Sequence, residues 1–117
     1  MLPRASRLNA SEDFRRTIRR GVRVGRPTLV LHVGPSTHPD AVRVGLVVSK
    51  AVGGAVTRNR VKRRLRHLAV GALASTPAGV DVVIRALPAA ADEAATLGAD
   101  LTGAWAKALR RLDAARP

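Results

Sequence analysis

No cysteine occurs anywhere in the 117 residues, which excludes disulfides and thiolate metal sites. Aromatic residues are nearly absent as well: Phe14 and Trp105 stand alone, with no tyrosine. A core must therefore be built from aliphatic side chains, and 46% hydrophobic residues supply enough of them for one modest domain. No apolar run is long enough to span a bilayer, and the opening MLPRASRLNASEDF lacks the apolar centre of a signal peptide. The expectation is a cytoplasmic protein folding as a single domain over residues 1–117, with no membrane contact and no obligate protein partner. Acidic residues are missing altogether from positions 41–80, where eight Lys or Arg stand.

That last absence accounts for most of the formal net charge of +13. Residues 1–40 carry eight basic and three acidic residues, whereas residues 81–117 carry five of each and cancel. A genomic preference for arginine would spread evenly along the chain. An excess that stops after residue 80 points instead to a face that meets a polyanion, most often nucleic acid. Arginine outnumbers lysine 18 to 3, which favours forked contacts to phosphate and stacking on bases.

No internal repeat or domain linker is evident. NASEDFRRTIRRG reads as a short helix, capped by Asn9 or Ser11, with Glu12 and Asp13 suiting its positive end and Gly21 closing it. Phe14 and Ile18, four apart, share one face of that helix. TLVLHV (28–33) and VRVGLVVS (42–49) have the β-branched content of strands, GPSTHPD between them reads as a loop, and a further strand is expected around Val22–Val24. From Thr57, the expected N-cap, the period becomes helical: Val61, Leu65, Leu68 and Ala72 form one apolar stripe. VDVVIRAL (80–87) is a buried strand, and Leu97, Leu101, Trp105, Ala108 and Leu112 repeat at helical spacing within a last helix from about Asp92 to Leu112. The order α-β-β-β-α-β-α implies an α+β fold, an α/β sandwich with helices packed on one small sheet.

Protein-based catalysis needs a nucleophile, an acid–base pair or a metal site, and the sequence offers none. His32, His38 and His67 match no metal spacing and read as surface or edge residues. Glu12–Asp13 and Asp92–Glu93 sit at expected helix starts, where the helix dipole explains them. Gly53 and Gly54 lack the rest of a Walker pattern. No catalytic or metal-binding residue is assigned.

The helix from Thr57 is another matter. Asn59, Lys62, Arg63 and Arg66 lie opposite its apolar stripe, and Arg60, Arg64 and His67 form one flank. Solvated helices usually mix charge signs, yet Arg58/Lys62, Arg60/Arg64 and Lys62/Arg66 are like-charged i, i+4 pairs, each costing a few tenths of a kcal/mol. Cations also crowd the first turn, against the dipole. A phosphate-bearing partner would neutralise them, and Asn59 adds a donor and an acceptor that cations alone cannot.

VGLVVSKAVGGAVTRNRVKRRLRH resembles the signature of the bacterial ribonuclease P protein subunit: a strand ending in Ser-Lys, a Gly-rich loop, Ala-Val, and Arg-Asn-Arg. The resemblance extends to RLNASEDFRRTIRRG and GVDVVIRALP and covers nearly the whole chain in order. It implies a compact domain whose central helix binds the catalytic RNA through Arg58, Asn59, Arg60, Lys62, Arg63 and Arg66, with Ser49 and Lys50 at the strand end. It implies a cleft between sheet and first helix for the single-stranded 5′ leader of precursor tRNA, lined by Phe14; Ile18 and His32 stand where relatives often carry aromatics, and Ala51 where a second lysine is frequent. It further implies an active site in the RNA subunit, using Mg²⁺ held mainly by that RNA and the substrate. A strand–helix–strand unit ordinarily crosses over right-handed in ~98% of cases; the resemblance implies a left-handed crossover here. The function so implied is help in removing the leader endonucleolytically to give the mature tRNA 5′ end. A ribosomal-type structural RNA-binding protein is the alternative. A DNA-binding module would need a helix-turn-helix or dimer signature, and a stand-alone nuclease would need its own active site.

Overall fold

The computed structural model describes residues 2–92 and 96–115. Its elements are α1 (Ser11–Arg20), β1 (Val22–Gly25), β2 (Leu29–Pro35), β3 (Val42–Val47), α2 (Ala55–Leu73), β4 (Val80–Ala86) and α3 (Leu97–Ala115), with 3₁₀ turns at Arg4–Ser6 and Pro88–Ala91. This is the order read from the sequence, including the short strand at Val22. The strands form one sheet in the order β1-β2-β4-β3. β1 and β4 flank β2 antiparallel, while β3 and β4 run parallel, joined by α2.

The alternation of the strands gives the sheet two different faces. Leu29, Leu31, Val33, Val44, Val80, Val82 and Ile84 join one buried cluster with Val61 and Leu65 of α2 and Leu97, Leu101, Trp105 and Ala108 of α3. The intervening residues, among them Val30, His32, Arg43, Gly45, Asp81 and Val83, face the other way. There α1 lies across the sheet, its Arg16 reaching Asp81 and its Phe14 reaching Gly45. The result is three layers, with α2 and α3 on one side and α1 on the other.

Several local expectations are corrected. Neither Asn9 nor Ser11 caps α1: Ala10 occupies that position, and no side chain closes the first turn. The end is as expected, with the Gly21 N–H donating to the Thr17 carbonyl at 2.9 Å. Thr57 is not the N-cap of α2, because Gly53 and Gly54 turn the chain earlier and the helix starts at Ala55 behind Gly54. Gly53 has φ +155°, and a Cβ there would stand 2.9 Å from the Thr57 methyl, so a side chain is excluded twice over. The fully buried stripe of α2 is Val61, Leu65 and Ala69; Leu68 and Ala72 are only partly buried because they turn toward α3, where they border a groove with Leu101 and Trp105.

The last helix begins later than expected. Asp92 follows the 3₁₀ turn instead of opening a helix, and Glu93 lies outside the described residues. Asp100 takes the first-turn position instead. Its Oδ2 accepts from the Thr28 hydroxyl at 2.6 Å and the Thr28 N–H at 3.2 Å, tying α3 to the head of β2. The spacing of Leu97, Leu101, Trp105, Ala108 and Leu112 does mark the buried face. Trp105 satisfies its indole N–H on Thr76 Oγ1 at 2.8 Å.

Candidate nucleic-acid interface

The stripe that buries Val61 and Leu65 leaves the opposite side of α2 to water. Asn59, Arg63 and Arg66, spaced i, i+4, i+7, are exposed there, with Lys62 half-buried beside them. No acidic residue stands in the first turn of α2. Ser49 and Lys50 are exposed in the turn just before it, their carbonyls accepting from Val52 and Gly53 N–H at 3.1 and 3.2 Å. Arg58 is half-buried, and its Nε finds no hydrogen-bond partner among the described residues. Arg60 turns sideways: its Nη2 donates to the Ala91 carbonyl at 2.7 Å, fastening α2 to the 3₁₀ turn ahead of α3. Within Arg58-Asn59-Arg60, therefore, Asn59 points outward while Arg60 is anchored.

The outer edge of β3 borders a groove of about 520 Å³. The N-terminal segment covers the first part of that edge, with the Leu8 N–H donating to the Val44 carbonyl at 3.0 Å. Beyond it the groove is walled by Arg7 and Asn9 on one side and by Lys62 and Arg66 of α2 on the other, with Gly45, Leu46 and Phe14 in between. Phe14 is half-buried, neither sealed in the core nor free. An aromatic ring, an amide and three cations thus converge on one open channel, the combination that suits a stacked base and its phosphates.

Ile18 and His32 are not in this groove. Ile18 is 38% exposed one turn further along α1. His32, read from sequence as a surface or edge residue, is 3% exposed, because β2 is an inner strand and α1 roofs its face. Burial, with the nearby charges of Arg85 and Arg23, holds its pKa below the ordinary imidazole value. Neither ring nitrogen has a hydrogen-bond partner among the described residues. His38 and His67 are exposed, as read.

The sequence reading missed an ionic cluster under α1. Asp81, fully buried, accepts from Arg43 Nε at 2.9 Å and Nη2 at 2.8 Å, a forked pair, and from Arg16 Nη2 at 3.2 Å. Asp13 closes the ring, 2.7 Å from Arg16 and 3.4 Å from Arg43. The hydrogen bond from Arg16 leads in lowering the Asp13 pKa, with burial opposing it and the charge of Arg43 assisting. The hydrogen bond to Asp81 in turn raises that of Arg43. A signal was available: Arg43 and Asp81 are each the second residue of their strand, and the parallel register sets them side by side. Both carboxylates are taken up by guanidinium groups, so this cluster does not fit Mg²⁺, which needs free carboxylate oxygens. Among the described residues no group of three or more His, Asp or Glu comes together to hold a metal.

The family model described as Ribonuclease P matches residues 2–110. The ribonuclease P protein component of Streptomyces bikiniensis is 51% identical over 118 residues, covering 93% of this chain and 96% of that protein. That of Rhodococcus opacus is 47% identical over 123 residues, covering 100% and 96%. Among solved structures, the RNase P protein of Staphylococcus aureus superposes with a TM-score of 0.77 at 27% identity, over 93% of this chain and 98% of that one. The RNase P protein of Thermotoga maritima has a TM-score of 0.70 at 22% identity, over 95% and 98%, a likeness of fold.

Proposed function

Since this chain belongs to the ribonuclease P protein family, we propose that it is the RNA-binding protein subunit of a ribonuclease P, gripping the catalytic RNA and the 5′ leader of precursor tRNA. The observation that carries this reading is the groove in which Phe14 faces Lys62 and Arg66. It joins a stacking platform to the same helix face that presents Asn59 and Arg63, so one side of α2 serves two strands of RNA. Lys62 and Arg66 stand between them and neutralise phosphate on both.

The protein's contribution is differential binding. An extended leader entering the groove meets Phe14 and cations that mature tRNA, lacking a leader, never touches, so precursor is held in preference to product. The cations also screen phosphate repulsion between substrate and catalytic RNA, which lowers the Mg²⁺ the complex needs. Bond cleavage belongs to the RNA subunit, where Mg²⁺ supplies Lewis-acid chemistry. The protein's own residues bind and orient.

Reconstitution with the RNA subunit tests this. Arg63→Ala/Arg66→Ala should weaken binding of the RNA and of leader-bearing precursor, and saturating the variant protein should largely restore the cleavage rate. Loss of cleavage at saturation would place a catalytic group on the protein and overturn the assignment of roles.

A further inference from the structure

Helix α1 sends its side chains in three directions. Asp13 and Thr17 face the sheet and Phe14 turns to the β3 groove. On the far side, Glu12, Arg15, Arg16, Arg19 and Arg20 line a separate groove of about 350 Å³. At 100° per residue the centre of this arginine ridge lies roughly 170° around the helix from Phe14. Arg16 directs its guanidinium down to Asp13 and Asp81. Arg15, Arg19 and Arg20 are exposed and make no side-chain hydrogen bond or ion pair among the described residues.

Local helix stability does not explain the ridge. The dipole accounts for Arg19 and Arg20, which occupy the last turn. Arg16 is explained by Asp81. Arg15 has neither excuse; Arg15/Arg19 and Arg16/Arg20 are like-charged i, i+4 pairs, and beyond the two aspartates that hold Arg16, Glu12 is the one acid lining this groove among the described residues. The groove also lacks what single-stranded RNA recognition uses, since among the described residues no aromatic or apolar side chain lines it. Charge without a stacking surface suits a backbone whose bases are already paired, where contacts go to phosphate and sugar. The ionic cluster beneath holds α1 to the sheet, so the ridge is presented on a fixed support.

We propose that the arginine ridge of α1 is a second RNA-binding surface, which takes the phosphate backbone of a double-helical RNA segment on the side of α1 away from the leader groove. The inference rests on the reading of this chain as an RNA-binding subunit, and the test separates the two. In the reconstituted holoenzyme, Arg15→Ala/Arg19→Ala/Arg20→Ala should weaken affinity for the RNA subunit about tenfold or more and reduce the log–log salt slope by roughly two to three, about one per lost phosphate contact. The precursor-to-mature tRNA affinity ratio should not change. Replacing the same three by Lys should recover most of the affinity, because phosphate is met by charge alone. With the free protein, the Ala triple should lose more affinity for a blunt RNA hairpin than for an unstructured strand of equal length. Unchanged RNA affinity in the triple, beside a clear loss in Arg63→Ala/Arg66→Ala, would overturn the ridge and leave the proposed function standing. Loss in neither would overturn both. A fall in the precursor-to-mature ratio, or equal loss for hairpin and single strand, would also overturn the ridge as a duplex site.

Discussion

The tip of the Phe14 ring rests on the backbone at Gly45: a Cβ built there would stand 2.3 Å from the ring Cζ and 2.5 Å from Cε1. Glycine in the middle of β3 is therefore a seat for the ring, and strand and helix together set its height in the groove.

Gly45→Ala should push the ring off its seat. Forcing a methyl group into this contact costs about 1–3 kcal/mol of stability. Displacing the ring should lower leader-dependent affinity, as Phe14→Ala does by removing it, with ~1–3 kcal/mol lost per base stack. Because Phe14 is half-buried, its own truncation should cost less than the ~3–5 kcal/mol of a fully buried Phe. The double variant should regain the stability that Gly45→Ala lost, since Ala at position 14 makes room. Thermal melts and precursor-to-mature affinity ratios check this; a harmless Gly45→Ala would mean the ring has another place to sit.

The Arg43–Asp81 pair should behave as a buried ion pair. Removing one partner leaves an uncompensated charge, so Asp81→Asn should destabilise by about 3–5 kcal/mol. The double variant Arg43→Met/Asp81→Leu should cost less than the sum of its single changes, because no unpaired charge is left between those strands. Urea unfolding of the parent, Arg43→Met, Asp81→Leu and the double variant gives the coupling, and additive losses would show that the pair does not act as a unit.

What the sequence made legible was periodic. Strand alternation, the Val61–Leu65 stripe and the Leu97–Leu112 ladder each repeat within one element, so their faces follow from spacing alone. The starts of α1 and α2 were less legible, because backbone turns at Ala10 and at Gly53–Gly54, and not capping side chains, set them. The candidate site depended on contacts between distant segments. Phe14 and Ile18 share a helix face by spacing, but α1 lies over β2 and β4, so only Phe14 reaches across to Gly45 of β3 and the groove lined by Lys62 and Arg66, and Ile18 does not. The link from Arg16 to Asp81 spans 65 residues and joins a helix to a strand, so nothing in the spacing announced it; strand register bears on Arg43 and Asp81 alone.

Stability should fall in two separate acid windows. His32 has a lowered pKa when folded, so the unfolded chain binds its proton first, at the ordinary 6.5. Folding therefore loses ground as pH drops through 6.5 and below. Asp13 is lowered from 3.8, so its contribution is present above that value and disappears as pH falls beneath it. His32→Phe should abolish the first window and leave the second. It also removes two unpartnered ring nitrogens, whose burial costs about 1–3 kcal/mol each. Urea midpoints between pH 7.5 and 3 check this, and an unchanged slope near pH 6 in the variant would clear His32 of the effect.

Arg60 and Arg63, three residues apart on one helix, should separate anchoring from RNA contact. Arg60 donates to the Ala91 carbonyl at 2.7 Å, and hydrogen bonds from charged groups are worth ~1.5–3 kcal/mol. Arg60→Ala should therefore lower the melting temperature of the free protein, by ~4–8 °C for each kcal/mol lost in a domain near 100 residues. Any loss of RNA affinity in that variant includes a loosened approach of α2 to the turn at Pro88–Ala91. Arg63 is exposed, and its replacement should leave stability within about ±0.5 kcal/mol. Arg63→Ala should instead weaken the catalytic RNA and flatten its salt dependence by about one unit of log–log slope. The two measurements are a thermal melt without RNA and an RNA titration at several salt concentrations. If Arg60→Ala melted like the parent and matched Arg63→Ala in the titration, the bond to Ala91 would carry no stability and Arg60 would belong wholly to the RNA face.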